Sequence, residues 1–157
     1  AFGVVAEVLL FAAGGAFLKR AGAPLVLMGA GVAAAVRWGI MATRPSLPLL
    51  LATQTLHAIT FGATHLGAMS FIGAAVPGGL AASAQSIYSC LTDGVVMGLA
   101  TKAAGRLYSA YGPGAFLFSA VLGLVGCALA AVLWRTWDGG QLRLQAAGGD
   151  CDSAKAL

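Results

Sequence analysis

The sequence predicts an all-α integral membrane protein built on five transmembrane helices. Hydrophobic residues make up 59% of the chain and charged residues only 9%, where a soluble domain carries about 25% charged residues. So few charges cannot cover an aqueous surface, and the exterior must face lipid. Gly fills 23 of 157 positions. Each would weaken a helix in water by roughly 1 kcal/mol, but in a membrane small residues let helix backbones approach closely. The third observation is a series of apolar runs near the ~20 residues needed to cross ~30 Å of hydrocarbon. Lipid offers backbone polar groups no partner, so a span is a helix or part of a closed barrel. These runs are too long and continuous for alternating barrel strands.

The first run covers about residues 1–18 and ends at the charged turn Lys19, Arg20, Ala21, Gly22. The second covers about 24–42, with Pro24 in the first helical turn, where its missing N–H costs nothing. Turn formers from Thr43 to Pro48 lead into the third, about 47–73. Val76, Pro77, Gly78 and Gly79 precede the fourth, about 80–105. Arg106 to Pro113 reads as the next connection and about 114–134 as the fifth span. Residues 136–157 are polar, with Asp138, Gln141, Arg143 and Asp150 among several glycines, the composition of a disordered tail. The chain starts at Ala1, inside an apolar stretch and with no signal peptide, which fits a piece of a longer protein.

The net charge of +4 comes from nine scattered Lys and Arg with no basic run, so it is not a nucleic-acid footprint. Most lie at the ends of apolar runs, where cations meet the membrane surface. Five spans place the two ends of the chain on opposite sides. Lys19, Arg20, Arg135, Arg143 and Lys155 then share one side, and Arg44, Lys102 and Arg106 lie near the other. The positive-inside rule places the C-terminus in the cytoplasm, on a small margin, with the plasma (inner) membrane as the location. Cys90, Cys127 and Cys151 have no metal-ligand spacing. The first two read as small packing residues within spans. No metal or cofactor is expected. The sequence holds no phosphate-binding loop and no nucleophile–base pattern, so an enzyme is not expected either.

Ionisable residues at membrane depth are costly and point to function. Glu7, Arg37, His57, His65 and Asp93 are the candidates. Glu7 lies ~18 Å along the helix from Lys19, and His57 ~15 Å into its span, both near mid-membrane. Arg37 lies ~7 Å from the end of its span, close enough to snorkel to the interface. In the third span Gln54, His57, Phe61, Thr64 and His65 share an arc of ~100° at 100° per residue, flanked by Thr53 and Thr60. Such a face lines a cavity or supplies hydrogen bonds between helices. In the fourth, Gln85, Ser89 and Asp93 form a polar stripe beside a small-residue stripe of Cys90, Gly94 and Gly98. Gly94 and Gly98 form a GxxxG pair, from which close helix packing is expected. Asp93 is either a substrate or proton group, or the structural partner of a nearby Arg or Lys.

The run from Gln54 through His57, Phe61, Gly62, His65, Leu66, Ala68 and Met69 to Phe71 and Ile72 resembles the tenth helix of the bacterial 3-phenylpropionate permease group. That group lies within the major facilitator superfamily, near its nucleoside–proton and oligosaccharide–proton symporters. Ala6, Glu7 and Val8, then Lys19 to Gly22, resemble the eighth helix and its cytoplasmic turn. Ala84 to Tyr88, Gly105 to Tyr108, and Tyr111 with Gly112 resemble the eleventh helix and the loop after it. The resemblance covers about residues 1–135. It implies twelve helices in two six-helix halves, with the site between them near mid-membrane. This chain would supply helices eight to twelve, most of the C-terminal half, and the N-terminal half would be a missing partner.

The resemblance also implies residue roles. Arg37 and His57, twenty residues apart, match an Arg and a His in the coupling network of lactose permease. Glu7 resembles an acid recurring on the eighth helix. One departure is Thr60, where lactose permease carries its proton-bearing acid; the carrier here must be another group, Glu7 or Asp93. The expectation is a secondary active transporter performing proton-coupled symport of a small organic solute: an aromatic carboxylate, a nucleoside or a sugar. The candidate binding and coupling residues are Glu7, Arg37, Gln54, His57, Phe61, His65, Gln85 and Asp93. The alternative is a non-transporting, truncated or scaffold membrane protein that keeps the fold.

Overall fold

The computed structural model describes residues 14, 15, 18 and 20–141. Most of the first expected span, including Glu7, lies outside the described residues, as do Lys19 and residues 142–157. Among the described residues every regular element is helical. Helix α1 is Ala23–Ala42. Helix α2 runs Leu47–Ala75 and contains a π-turn at Ile59–Ala63. Helix α3 comprises Gly78–Ser89, a second π-turn at Cys90–Val96, and Met97–Tyr111. A short 3-10 turn, Gly112–Ala115, leads to α4, Phe116–Thr136. Proline opens α1, α2 and the 3-10 turn, where its fixed φ suits a helix start and its lost donor is not needed.

Three continuous helical runs are long and apolar enough to cross a membrane: Ala23–Ala42, Leu47–Ala75 and Gly78–Thr136. The expected count of five is therefore not confirmed. The third run has 59 residues, which laid straight would reach ~88 Å, close to three bilayer cores. It is not straight. The Tyr108 and Phe116 rings lie 5.8 Å apart, where a continuous helix would separate these positions by ~12 Å. The bend is at Gly112, with φ 56° and ψ −138°, a conformation open to glycine because it has no Cβ. The connection expected at Arg106–Pro113 is thus much shorter. Arg106 to Tyr111 tolerate a helix, and it is Gly112 that ends it.

The largest helix–helix contact joins α1 to α4. The helices meet backbone to backbone. A Cβ built on Gly31 would lie 2.8 Å from the Gly123 carbonyl oxygen and 2.8 Å from the Cys127 amide nitrogen. One built on Gly123 would lie 2.9 Å from the Ala35 nitrogen and 3.0 Å from the Gly31 oxygen. Nearer one membrane face, Trp38 stacks on Phe116 at 5.5 Å. That register fixes α1 and α4 as antiparallel neighbours. Helix α2 packs on α1 where Gly67 leaves just enough room for the Leu27 side chain, and its Ala58 and Thr53 are buried, at 2% and 1% exposed. Val26, Ala30 and Ala63 form the small core between them. At the other face, Trp137 folds back over Phe71, ring centroids 5.0 Å apart, and donates its indole N–H to the Gly140 carbonyl. The start of the expected tail, Trp137 to Gln141, therefore caps the bundle.

Two packing expectations are corrected. A Cβ on Gly94 or Gly98 meets nothing within 4 Å among the described residues. The GxxxG pair makes no close crossing here, because α3 stands away from the α1–α4 pair and buries no residue along its length. Cys127 does sit in a helix crossing, against Gly31, but Cys90 is exposed.

These contacts predict that Gly123→Ala destabilises the protein while Gly98→Ala does not. Overpacking of a fixed backbone contact costs about 1–3 kcal/mol. Thermal unfolding of the detergent-solubilised protein should show a lower midpoint for the first variant and an unchanged or raised midpoint for the second.

Candidate functional site

Both long helices widen near their middles, and the two widened turns face one cavity. Helix α2 holds Gly62 in its π-turn and α3 holds Gly94 in its own. A π-turn takes more residues than an α-turn and loosens the i→i−4 ladder, a feature frequent at functional sites. Threonine hydroxyls close on the backbone here: Thr60 donates to the His57 carbonyl at 3.0 Å, Thr64 to Thr60 at 2.6 Å, and Thr92 to Tyr88 at 2.8 Å. Such back-bonding bends helices and satisfies the hydroxyl locally.

The cavity measures about 500 Å³ and is lined by Thr60, Phe61, Thr64 and His65 of α2 and by Tyr88, Thr92, Asp93 and Met97 of α3. Phe61 lies ~21 Å from the start of α2 and Asp93 ~22 Å from the start of α3, so the cavity is near mid-membrane. Its walls are mostly carbon, with hydroxyls, one imidazole and one carboxylate set into them. The Thr92 hydroxyl lies 3.5 Å from the Asp93 carboxylate. Among the described residues Asp93 has no Arg or Lys partner, so nothing there supports the structural-pair reading.

Of the residues singled out by sequence, Phe61, His65 and Asp93 come together in this cavity. His57 stands at its edge: its ring stacks on Phe61 at 6.0 Å, and its Nδ1 is buried with no hydrogen-bond partner among the described residues. Gln54 and Gln85 are half-buried and do not line the cavity. Arg37 does not line it either. Its guanidinium lies 4.6 Å over the neighbouring Trp38 ring, and its Nε is buried without a hydrogen-bond partner among the described residues. Glu7 lies outside the described residues.

The single polar arc on α2 is therefore corrected. A constant 100° step cannot be carried through a π-turn, which takes more residues per turn and so sets every later residue back in phase. Gln54 falls before the turn, and Thr64 and His65 fall after it. Sequence reasoning also missed Tyr88 and Thr92 as lining residues. They form a spacing-of-four row beside Gln85, Ser89 and Asp93, and that row was the available signal.

Long apolar helices, packed by small residues beside a mid-membrane cavity, define a multi-pass membrane protein. The chain belongs to the MFS_1 like family, which matches residues 1–120 and places it in the major facilitator superfamily. It is 38% identical over 122 residues to a probable 3-phenylpropionic acid transporter of Escherichia coli strain K12. That match takes in 78% of this chain and 32% of the relative, so the chain spans about a third of the relative's length. No solved structure matches the chain significantly.

The cavity predicts a pattern of chemical accessibility. With Cys127 as the sole native cysteine, Phe61→Cys and Asp93→Cys should react with a small, water-soluble thiol reagent. Cys127, packed on Gly31, should react at least tenfold more slowly. Equal rates at all three positions would contradict the assignment.

Proposed function

We propose that this chain forms most of the C-terminal half of a secondary active transporter that carries an aromatic carboxylate by proton symport across the inner membrane. The observation that carries the reading is the mid-membrane cavity in which Phe61, His65 and Asp93 converge. Its carbon-rich walls suit a ring, and its few polar groups suit one polar end. The name of the Escherichia coli relative supports the same solute class. In this reading the N-terminal half supplies the facing wall, and rocking of the two halves exposes the cavity to each side in turn. His57 and His65 are the imidazoles near enough to the cavity to meet a carboxylate. Glu7 and Asp93 are the acids available to carry the proton, since Thr60 cannot. In this reading the C-terminus lies in the cytoplasm, as the positive-inside rule favours.

The full-length transporter, reconstituted in vesicles, tests this. Wild-type protein should concentrate 3-phenylpropionate when the outside is acidified. Asp93→Asn and Glu7→Gln keep shape and hydrogen bonding but cannot exchange a proton. Whichever residue is the carrier should lose uphill uptake by 100-fold or more while retaining solute exchange. If both variants concentrate solute normally, proton coupling through these acids is wrong. If the wild type concentrates nucleosides or disaccharides instead, the solute class is wrong. Uptake of none of these would favour the non-transporting scaffold.

A further inference from the structure

A second cavity lies against the first. It measures about 730 Å³ and fills the gap between α3 and the α1–α4 pair, where few contacts join these helices. Thr64, Tyr88 and Thr92 line both cavities. The two spaces therefore share a wall of three residues. Both threonine hydroxyls are already spent on their own backbones, at 2.6 and 2.8 Å. The shared wall thus offers methyl groups and an aromatic ring to whatever passes. Beyond it the lining is carbon from Ala30, Gly126 and Leu129 and their neighbours, with no charged side chain among the described residues.

We propose that this second cavity is an apolar extension of the solute site. The transporter would then accept amphipathic carboxylates whose apolar tail is longer than that of an arylpropionate. The inference rests on the functional reading above and deepens it. Cavities of about 300–1,000 Å³ hold drug-sized ligands, so the first cavity alone accommodates an arylpropionate. The second is surplus for that solute. Among the described residues its lining has no charged side chain, which gives a second charged end no partner and suits hydrocarbon. The carboxylate stays with His65 and its neighbours, the ring or chain passes Tyr88, and the tail comes to rest between Val96 and Leu129. Each methylene withdrawn from water should strengthen binding about three- to fourfold.

Gly126 gives a clean test, because a Cβ there meets nothing within 4 Å. A leucine there has an unobstructed Cβ and takes up part of the cavity. In the full-length transporter, 5-phenylpentanoate and 8-phenyloctanoate should bind progressively more tightly than 3-phenylpropionate. Gly126→Leu should leave 3-phenylpropionate within twofold of wild type and weaken the longest acid at least tenfold. Gly98→Leu, on open surface of α3, should change neither. A flat affinity series overturns the proposal, and so does an equal loss for short and long acids in Gly126→Leu. That equal loss would mean the space belongs to lipid or to another helix. If no phenylalkanoate is transported, the functional reading fails. Equilibrium binding of the same series to the purified protein then still decides the cavity: a length-dependent gain sensitive to Gly126→Leu supports it, and a flat series overturns it.

Discussion

The close approach of Gly31 to Gly123 sets the geometry of everything else. Two antiparallel helices whose backbones nearly touch have one crossing point and little freedom to slide. In lipid this contact cannot draw on the hydrophobic effect, because tails and side chains are equally apolar. It depends on van der Waals packing, which needs surfaces without projecting Cβ atoms. From this fixed pair, α2 is held by Ala58, Gly67 and Leu27. Helix α3 is attached through its ends, by the short Val76–Pro77 link and the turn at Gly112. The gap that results is not a packing failure. It is where both cavities lie.

The site follows from a second constraint, the two π-turns. An uninterrupted α-helix presents one stripe to its neighbour, and a helix as long as α2 or α3 would present it obliquely to the membrane. Widening each helix at mid-depth re-aims the residues just beyond the turn. Phe61 and His65 on one helix and Asp93 on the other are thereby brought to one space. The threonines that bond back to the backbone keep these turns supplied with partners in a medium that provides none. A transporter must bind weakly enough to release, and a site on locally loosened helices has the latitude to change shape.

Fold class was legible from composition and run length, since 9% charge admits no other surroundings. The helix limits were legible where proline or glycine set them, as at Pro24, Pro48 and Pro77. The end of α3 was misjudged because Arg106 looks like a loop residue, although backbone conformation at Gly112 decides the break. The packing motif was misplaced for a similar reason. Gly94 and Gly98 match GxxxG, but the small pairs Gly31 with Ala35 and Gly123 with Cys127 have the same spacing, and spacing alone cannot say which pair has a partner. Phe61, His65 and Asp93 were found because polar or aromatic groups at membrane depth are rare. Tyr88 and Thr92 were missed although their spacing of four matches the row of Gln85, Ser89 and Asp93 beside them, because neither carries a charge to draw the eye.

In the proposed transporter the solute sits in the space between the π-turns of α2 and α3. Solute protection of a cysteine at position 93 checks this, measured as the rate of thiol modification in the full-length transporter with and without saturating 3-phenylpropionate. A solute bound there should slow modification at position 93 at least fivefold and leave a cysteine at the exposed position of Leu99 unchanged. An unchanged rate at 93 with the solute demonstrably bound would place the site elsewhere and contradict it.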